Sequence, residues 1–159
     1  MVDRLTSKSR TSIKRWPIVL LRVYTGVFFA WHGIGKISRG NFQEGMQDFL
    51  HAQLDRSFSF YRPLLESVVL PNSAFFAELV AWGELLIGVA LIVGLATRYA
   101  AFFGAFMVAN FWFAKGAGIL DGTNHDVVWL VIFVVLGTIP AGRIAGLDDG
   151  LADKLRFLR

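Results

Sequence analysis

The sequence has no cysteine, and this absence excludes a whole group of sites at the outset. Without a thiol the chain can form neither a disulfide framework nor a thiolate metal site, an iron–sulfur cluster or a dithiol redox pair. Redox chemistry here would need a bound cofactor or a partner. Charged residues are also few, at 18% of the 159 residues, whereas 55% are hydrophobic. This composition differs from that of a soluble globular protein and indicates that water is not the main solvent.

Four apolar stretches stand out, and we predict that each crosses a bilayer as a helix. A helix rises about 1.5 Å per residue, so about 20 residues are needed to cross a hydrocarbon core of about 30 Å. The last two stretches reach that length only with the glycine-rich residues that follow them. The predicted fold is all-α, a membrane-embedded four-helix bundle in one domain. The predicted spans are residues 17–37, 74–96, 99–118 and 126–142.

The long connection between the first two spans, residues 38–73, is too polar to cross a membrane. Within it, apolar residues recur at helical spacing between polar ones. They are Phe42, Met46, Phe49, Leu50 and Leu54. This pattern predicts an amphipathic helix in the outer loop, which lies on the membrane or caps the bundle. A packed helix without a function of its own and a specific lid both remain open.

The distribution of basic residues predicts the orientation, because cytoplasmic segments carry an excess of Lys and Arg. Ten lie in the tails, residues 1–16 and 143–159, and in the turn after the second span: Arg4, Lys8, Arg10, Lys14, Arg15, Arg98, Arg143, Lys154, Arg156 and Arg159. Five lie on the other side: Lys36, Arg39, Arg56, Arg62 and Lys115. We therefore expect both termini in the cytoplasm and residues 38–73 outside. The net charge of +4 follows this pattern, so we expect no nucleic-acid partner.

Ionisable side chains inside the spans are the most informative feature of the sequence. They cost several kcal/mol in a bilayer and usually face the interior of a bundle. At about 1.5 Å per residue, His32 and Glu84 fall at one depth with Asn110, and Glu78 falls level with Lys36. We predict a polar layer in the outer half of the bundle, in which Glu84 bonds directly to His32 or Asn110.

Two interpretations of this layer remain open: a hydrogen-bond network that fixes the order of the helices, or a site for a polar headgroup that exchanges protons. The candidate ligand-binding residues are His32, Lys36, Glu84, Asn110 and Arg22. Arg22 lies near the inner interface, where it is expected to be structural or to bind lipid phosphate. The candidate structural partners are Glu78, Lys115, His125 and Asp126.

Neither haem nor a metal is expected in this layer. His32 and His125 come at similar depths, but one histidine on each of two helices does not make a haem motif. Glu84 and Asp126 would add ligand types suited to zinc or iron, without the close spacing of a metal motif.

Three segments resemble the DoxX family of small bacterial four-helix membrane proteins. They are LRVYTGVFFAWHGIGKI, FFAELVAWGELLIGVALIVGLATRYAA and the closing AGR. The resemblance runs from Arg22 to about Leu147. It depends on two series of residues: Arg22, Gly26, His32, Gly33 and Lys36, then Glu84, Gly88, Gly94, Thr97 and Arg98. The related DoxD subunit belongs to a thiosulfate:quinone oxidoreductase, so the resemblance implies a quinone-linked redox role as one possibility.

The leading hypothesis is a DoxX-like subunit that binds a quinone beside a membrane partner that holds the redox centre. His32 and Glu84 would bond or exchange protons with the quinone oxygens, and Lys36 and Arg22 would tune the charge. The rival is a non-catalytic structural or accessory subunit of a larger membrane complex. A solute or proton pathway is a third class, which the lack of an inverted repeat disfavours.

Overall fold

A computed structural model describes residues 15–151, and every regular element within them is helical. The all-α class predicted from the sequence is confirmed. Residues 1–14 of the predicted N-terminal tail and residues 152–159 of the C-terminal tail lie outside the described residues. The elements are α1 (Trp16–Arg39), α2 (Phe42–Gln53), α3 (Arg62–Leu64) continued by a π-helical turn (Leu65–Val69), α4 (Ser73–Val93), α5 (Thr97–Lys115), α6 (His125–Thr138), a 3₁₀ turn (Ala141–Arg143) and α7 (Leu147–Leu151).

Proline and glycine set several of these helix ends. Pro17 lies in the first turn of α1, where its missing N–H leaves no hydrogen bond unmade. Gly40 ends α1 at φ 68° and Gly94 ends α4 at φ 69°, both in the left-handed region that favours glycine. Gly94 therefore ends α4 earlier than the predicted limit at residue 96, and Ala96 at φ 50° completes a tight turn into α5.

Within the described residues, two helices are long and apolar enough to cross a membrane, α1 and α4. The helix α6 is apolar but has only 14 residues. At about 1.5 Å per residue it is about 21 Å long, which is shorter than a hydrocarbon core of about 30 Å.

Glycines bring α1 and α4 into backbone contact along most of their length. A Cβ on Gly26 would lie 2.8 Å from the carbonyl oxygen of Gly88, and one on Gly33 would lie 2.6 Å from the amide nitrogen of Leu85. The two contacts show that the helices are antiparallel, since the later residue of α1 meets the earlier residue of α4. Small residues at such positions let backbones approach closely.

A second antiparallel pair forms from α5 and α6. The ring of Phe133 fills the space beside Gly104, and Ala101 lies opposite Gly137. Phe133 also packs edge-on against Phe29 of α1, with ring centroids 4.9 Å apart. Large aromatic side chains therefore join the two helix pairs, and the core consists of Phe29, Ile87, Leu91, Ala100, Ala101, Val108, Phe133, Leu136 and Ala141.

The amphipathic helix predicted in the long loop is α2. Its Leu50 is buried with Leu65 and Ala114 in a small second core, against which Met46 and Leu54 also pack. Gln47 donates a 2.5 Å hydrogen bond to the hydroxyl of Ser73 at the start of α4. The loop thus forms a packed layer across one end of the helices.

The opposite end, which we call the Arg22 end, is closed by the chain after α6. The Arg22 side chain is almost completely buried, at 1% exposure. Its Nη1 donates to the carbonyl oxygen of Ala141 at 2.7 Å, and its Nη2 donates to that of Ala145 at 2.9 Å. A buried guanidinium needs such acceptors, so this arginine ties the start of α1 to the C-terminal segment.

Asp148 makes a second hydrogen-bonded contact between distant segments at the same end. Its carboxylate accepts hydrogen bonds from the amides of Ala96 at 2.6 Å and Thr97 at 3.0 Å. These amides lie at the N-terminus of α5, where backbone donors lack helical partners and negative charge is favourable. A residue distant in sequence therefore caps α5.

We predict that Gly33→Ala destabilises the protein by about 1 to 3 kcal/mol, because the added methyl group meets the backbone of α4. Gly35→Ala on the same helix is the matched control, since open space surrounds that position. Thermal unfolding in detergent measures both variants. Equal melting temperatures for the two would contradict the close approach at Gly33.

Candidate functional site

A salt bridge between Lys36 and Glu84 joins α1 to α4 inside the helix packing. Glu84 is 4% exposed and lies near the middle of α4. The predicted direct bond from Glu84 to His32 or Asn110 is wrong, because the Lys36 ammonium takes that place. The close approach at Gly33 explains the difference, since it brings the lysine of the next helical turn within reach of the carboxylate.

Two aromatic rings lie beside the lysine of this pair, and one carboxylate oxygen of the glutamate has no hydrogen-bond partner within the described part of the chain. The Nζ of Lys36 lies 5.2 Å from the ring centroid of Phe42 and 5.8 Å from that of Phe111, both within cation–π range. The Oε2 of Glu84 is buried and has no hydrogen-bond partner among the described residues. Buried polar atoms are rarely left unpaired, so each such case asks for a missing partner such as water or a ligand.

His32 lies near this pair but is exposed on the outside of α1. Its ring packs on Phe28 with centroids 4.3 Å apart, and Phe28 packs at the same distance on Trp129 of α6. The imidazole is thus part of an aromatic row between α1 and α6. It faces the surroundings of the protein and not its interior.

Asn110 bonds to a residue that the sequence analysis missed. The hydroxyl of Tyr61, in the outer loop, donates to Oδ1 of Asn110 at 2.5 Å. Burial raises the pKa of Tyr61, so the phenol stays protonated and acts as a donor. Nothing in the spacing of the loop pointed to Tyr61, because the contact depends on how the loop folds over α5.

The remaining predicted polar residues separate into two groups. Lys115 and Asp126 form a salt bridge between α5 and α6 at 2.7 Å. His125 is exposed beside it. Glu78 was expected level with Lys36, but it is exposed on α4 and accepts a hydrogen bond from the indole of Trp82 at 3.0 Å.

Arg22 is separate from all of these groups. Fourteen positions of one helix divide it from Lys36, which corresponds to roughly 21 Å at about 1.5 Å per residue. The structure therefore brings together only Lys36 and Glu84 of the five candidate ligand-binding residues, with His32 on the adjoining surface and Asn110 one residue before Phe111.

The Lys36–Glu84 centre offers donors and an acceptor in one confined place. The ammonium carries three N–H donors, of which the carboxylate uses one, and the carboxylate keeps a free oxygen. A small molecule with a carbonyl or hydroxyl oxygen could bond to both once the packing around the buried Oε2 opens. The described residues contain no group of three or more side chains that could hold a metal ion.

The family model described as DoxX matches residues 18–117, more than half of the chain. The chain belongs to the DoxX family. The match includes Lys36, Glu84 and Asn110 but stops before Asp126 and before the segment that binds Arg22. No curated protein and no solved structure matches the chain. Membership of the DoxX family and the two long apolar helices point to a membrane protein.

We predict that Lys36→Met lowers the free energy of unfolding by about 3 kcal/mol, because the Glu84 carboxylate is left buried without its cation. The double variant Lys36→Met/Glu84→Leu should recover most of that loss, since two apolar side chains need no partner. Unfolding in detergent measures the three proteins in a double-mutant cycle.

The matched control for this cycle is Arg62→Met. Arg62 pairs with Glu66 and Asp55 at an exposed position, so its replacement should change the unfolding free energy much less than Lys36→Met does. An equal loss of unfolding free energy in Lys36→Met and Arg62→Met would show that the buried pair stabilises the protein no more than the exposed one.

Proposed function

We propose that this chain is a multi-pass DoxX protein of the bacterial inner membrane whose Lys36–Glu84 centre binds a quinone headgroup. A membrane partner would supply the redox centre. The observation that carries the proposal is the buried, unpartnered Oε2 of Glu84 beside a lysine ammonium and two aromatic rings.

The distribution of polarity supports embedding of all four long helices. Each of them exposes large apolar side chains, while Arg22, Glu84 and Asp126 are buried inside. This arrangement suits a lipid surrounding and would be unfavourable in water over so large a surface. The exposed side chains include Leu20, Tyr24 and Trp31 on α1, Phe75, Trp82 and Leu86 on α4, Phe102, Phe103 and Phe106 on α5, and Val128, Val131 and Val134 on α6.

The orientation follows from the ten against five basic residues, and single cysteines can test it because the natural chain has none. We predict that Ser59→Cys reacts with a membrane-impermeant thiol reagent added outside intact cells, whereas Asp149→Cys reacts only after the membrane is opened. Both positions are exposed in the structure. The reverse labelling pattern would overturn the orientation.

The proposed chemistry uses the two groups of the buried pair in different ways. The Lys36 ammonium would donate to a quinone carbonyl oxygen, and the Glu84 carboxylate would accept from the hydroxyl that forms on reduction. Reduction of a quinone takes two electrons and two protons. The electrons would come from the partner, and the protons would pass through Glu84 and the exposed imidazole of His32.

The contact between α1 and α6 supports entry of a quinone from the bilayer. These helices meet through the side chains of Phe28, Phe29 and Trp129, whereas α1 and α4 meet backbone to backbone. Aromatic side chains change rotamer more readily than a glycine contact opens. His32 marks the surface of this seam.

A structural role is the second candidate, and one observation favours it. Lys36 already neutralises Glu84, so the pair satisfies most of its own requirements without a ligand. In that case its role would be to fix α1 on α4 within a larger membrane complex.

We predict that the purified protein binds a short-chain ubiquinone and that Glu84→Gln and His32→Ala each weaken this binding by about tenfold or more while the fold survives. For Glu84→Gln, one lost hydrogen bond to a charged group corresponds to about that factor, and His32→Ala removes the imidazole at the surface of the proposed entry seam. Binding and melting temperature are measured together. Asp126→Asn is the matched control, because it also removes a buried carboxylate that pairs with a lysine.

Three outcomes decide between the candidates. Loss of binding with Glu84→Gln and normal binding with Asp126→Asn supports the quinone site. No binding by the parent protein rejects it. Normal binding by both Glu84→Gln and His32→Ala also rejects it and leaves the structural role.

A further inference from the structure

An apolar groove of about 560 Å³ opens on the surface of α1 at the Arg22 end. One wall comes from the first two turns of α1 and the other from the chain after the 3₁₀ turn. The residues that line it are Trp16, Val19, Leu20, Val23, Ile144 and Ala145. We infer that this groove holds one acyl chain of an anionic phospholipid, whose phosphate lies against Arg15 and Arg143.

The groove has a fixed shape because both of its walls are held in place. One wall is the helix α1 itself. The other is bound by the buried Arg22, which donates to the carbonyl oxygens of Ile144 at 3.3 Å and Ala145 at 2.9 Å. The same guanidinium therefore orders the segment that forms the second wall. A site with ordered walls binds a ligand without the cost of organising them first.

The charge at the mouth of the groove favours an anionic headgroup. Arg15 directly precedes the lining residue Trp16, and Arg143 directly precedes Ile144, so one exposed arginine stands at the start of each wall. Of the two carboxylates in the adjoining helix α7, Asp148 is buried and bonded to backbone amides, which leaves Asp149 exposed. Basic residues at this side of a membrane attract anionic lipids, by about fivefold for each Lys or Arg.

This charge pattern also argues against a second copy of the chain as occupant. In a symmetric dimer the same patch faces itself, so the arginines of both walls would meet their own counterparts. A phospholipid brings an acyl chain for the apolar lining and a negative charge for the rim. The inference rests on the proposed embedding of α1 in the bilayer but not on quinone binding, because the two sites lie at opposite ends of α1.

Native mass spectrometry of the full chain tests this inference. The protein, released from detergent micelles that contain equal amounts of dioleoyl phosphatidylglycerol and dioleoyl phosphatidylcholine, should retain phosphatidylglycerol at least about tenfold more than phosphatidylcholine. Arg15→Gln/Arg143→Gln should bring the two lipids to about equal retention. Val19→Trp should fill the groove and lower phosphatidylglycerol retention at least about fivefold.

Two controls accompany these variants on the same helix. Ile34→Trp places the same indole side chain at an exposed position outside the groove, and Arg39→Gln removes an arginine at the other end of α1. Both should retain phosphatidylglycerol as the parent does. If Val19→Trp lowers the melting temperature, Leu20→Trp replaces it, since Leu20 is already 59% exposed.

Equal retention of both lipids by the parent would overturn the inference, and so would the same lipid retention by Val19→Trp and Ile34→Trp. A shift of Val19→Trp from dimer to monomer in light scattering, with unchanged lipid retention, would assign the groove to a second copy instead. Quinone binding should not respond to the groove variants. A failure here is therefore distinct from a failure at the Lys36–Glu84 centre.

Discussion

The backbone contact between α1 and α4 is the constraint on which the rest of the structure depends. Gly26, Gly33 and Gly88 leave no side chain between the two helices, so their backbones approach closely. This approach sets the register that pairs Lys36 with Glu84 at one end. At the other end it places Gly94 against the guanidinium of Arg22. Larger side chains would move both charged groups away from their partners.

Buried charged groups have backbone partners at one end of the protein and a side-chain partner at the other. At the Arg22 end, backbone carbonyls accept from both Nη groups of Arg22 and backbone amides donate to both oxygens of Asp148, while Nε of Arg22 has no hydrogen-bond partner among the described residues. At the Lys36–Glu84 centre, two side chains neutralise each other and leave one buried oxygen unpartnered. Side chains can exchange partners more easily than backbone groups can. The first arrangement therefore suits a fixed fold, and the second suits exchange with a small molecule.

The residues matched by the DoxX family model include one of the buried polar centres completely and the other only in part. The DoxX match covers residues 18–117, which include the Lys36–Glu84 centre. The segment that holds Arg22 and the aspartate that caps α5 lie after it. Arg22 thus belongs to the matched region while its acceptors do not. The acceptors are backbone carbonyls, which any sequence with the same backbone path can supply.

The sequence by itself determined the helical class, the family and the identity of the ionisable residues within apolar stretches. The helical class and the ionisable residues follow from local composition and periodicity, and the family follows from the resemblance of the motif segments, so none of the three needs knowledge of distant contacts. The helices α1 and α4 end at Gly40 and Gly94, where the left-handed conformation favours glycine, whereas the apolar stretches predicted span limits at residues 37 and 96.

Only the tertiary structure decided which polar groups meet. Depth along a helix predicted that Glu84 would meet His32 or Asn110, but depth says nothing of the direction in which a side chain points or of how far it reaches. A lysine side chain spans more than a helical turn, so Lys36 reaches Glu84 from a different level. His32, at the expected level, points outward.

Tyr61 and Asp148 were not predicted as partners because their contacts join segments about 50 residues apart in sequence, 49 for Tyr61 with Asn110 and 51 for Asp148 with Thr97. Such contacts depend on the path of the whole chain and not on any local pattern.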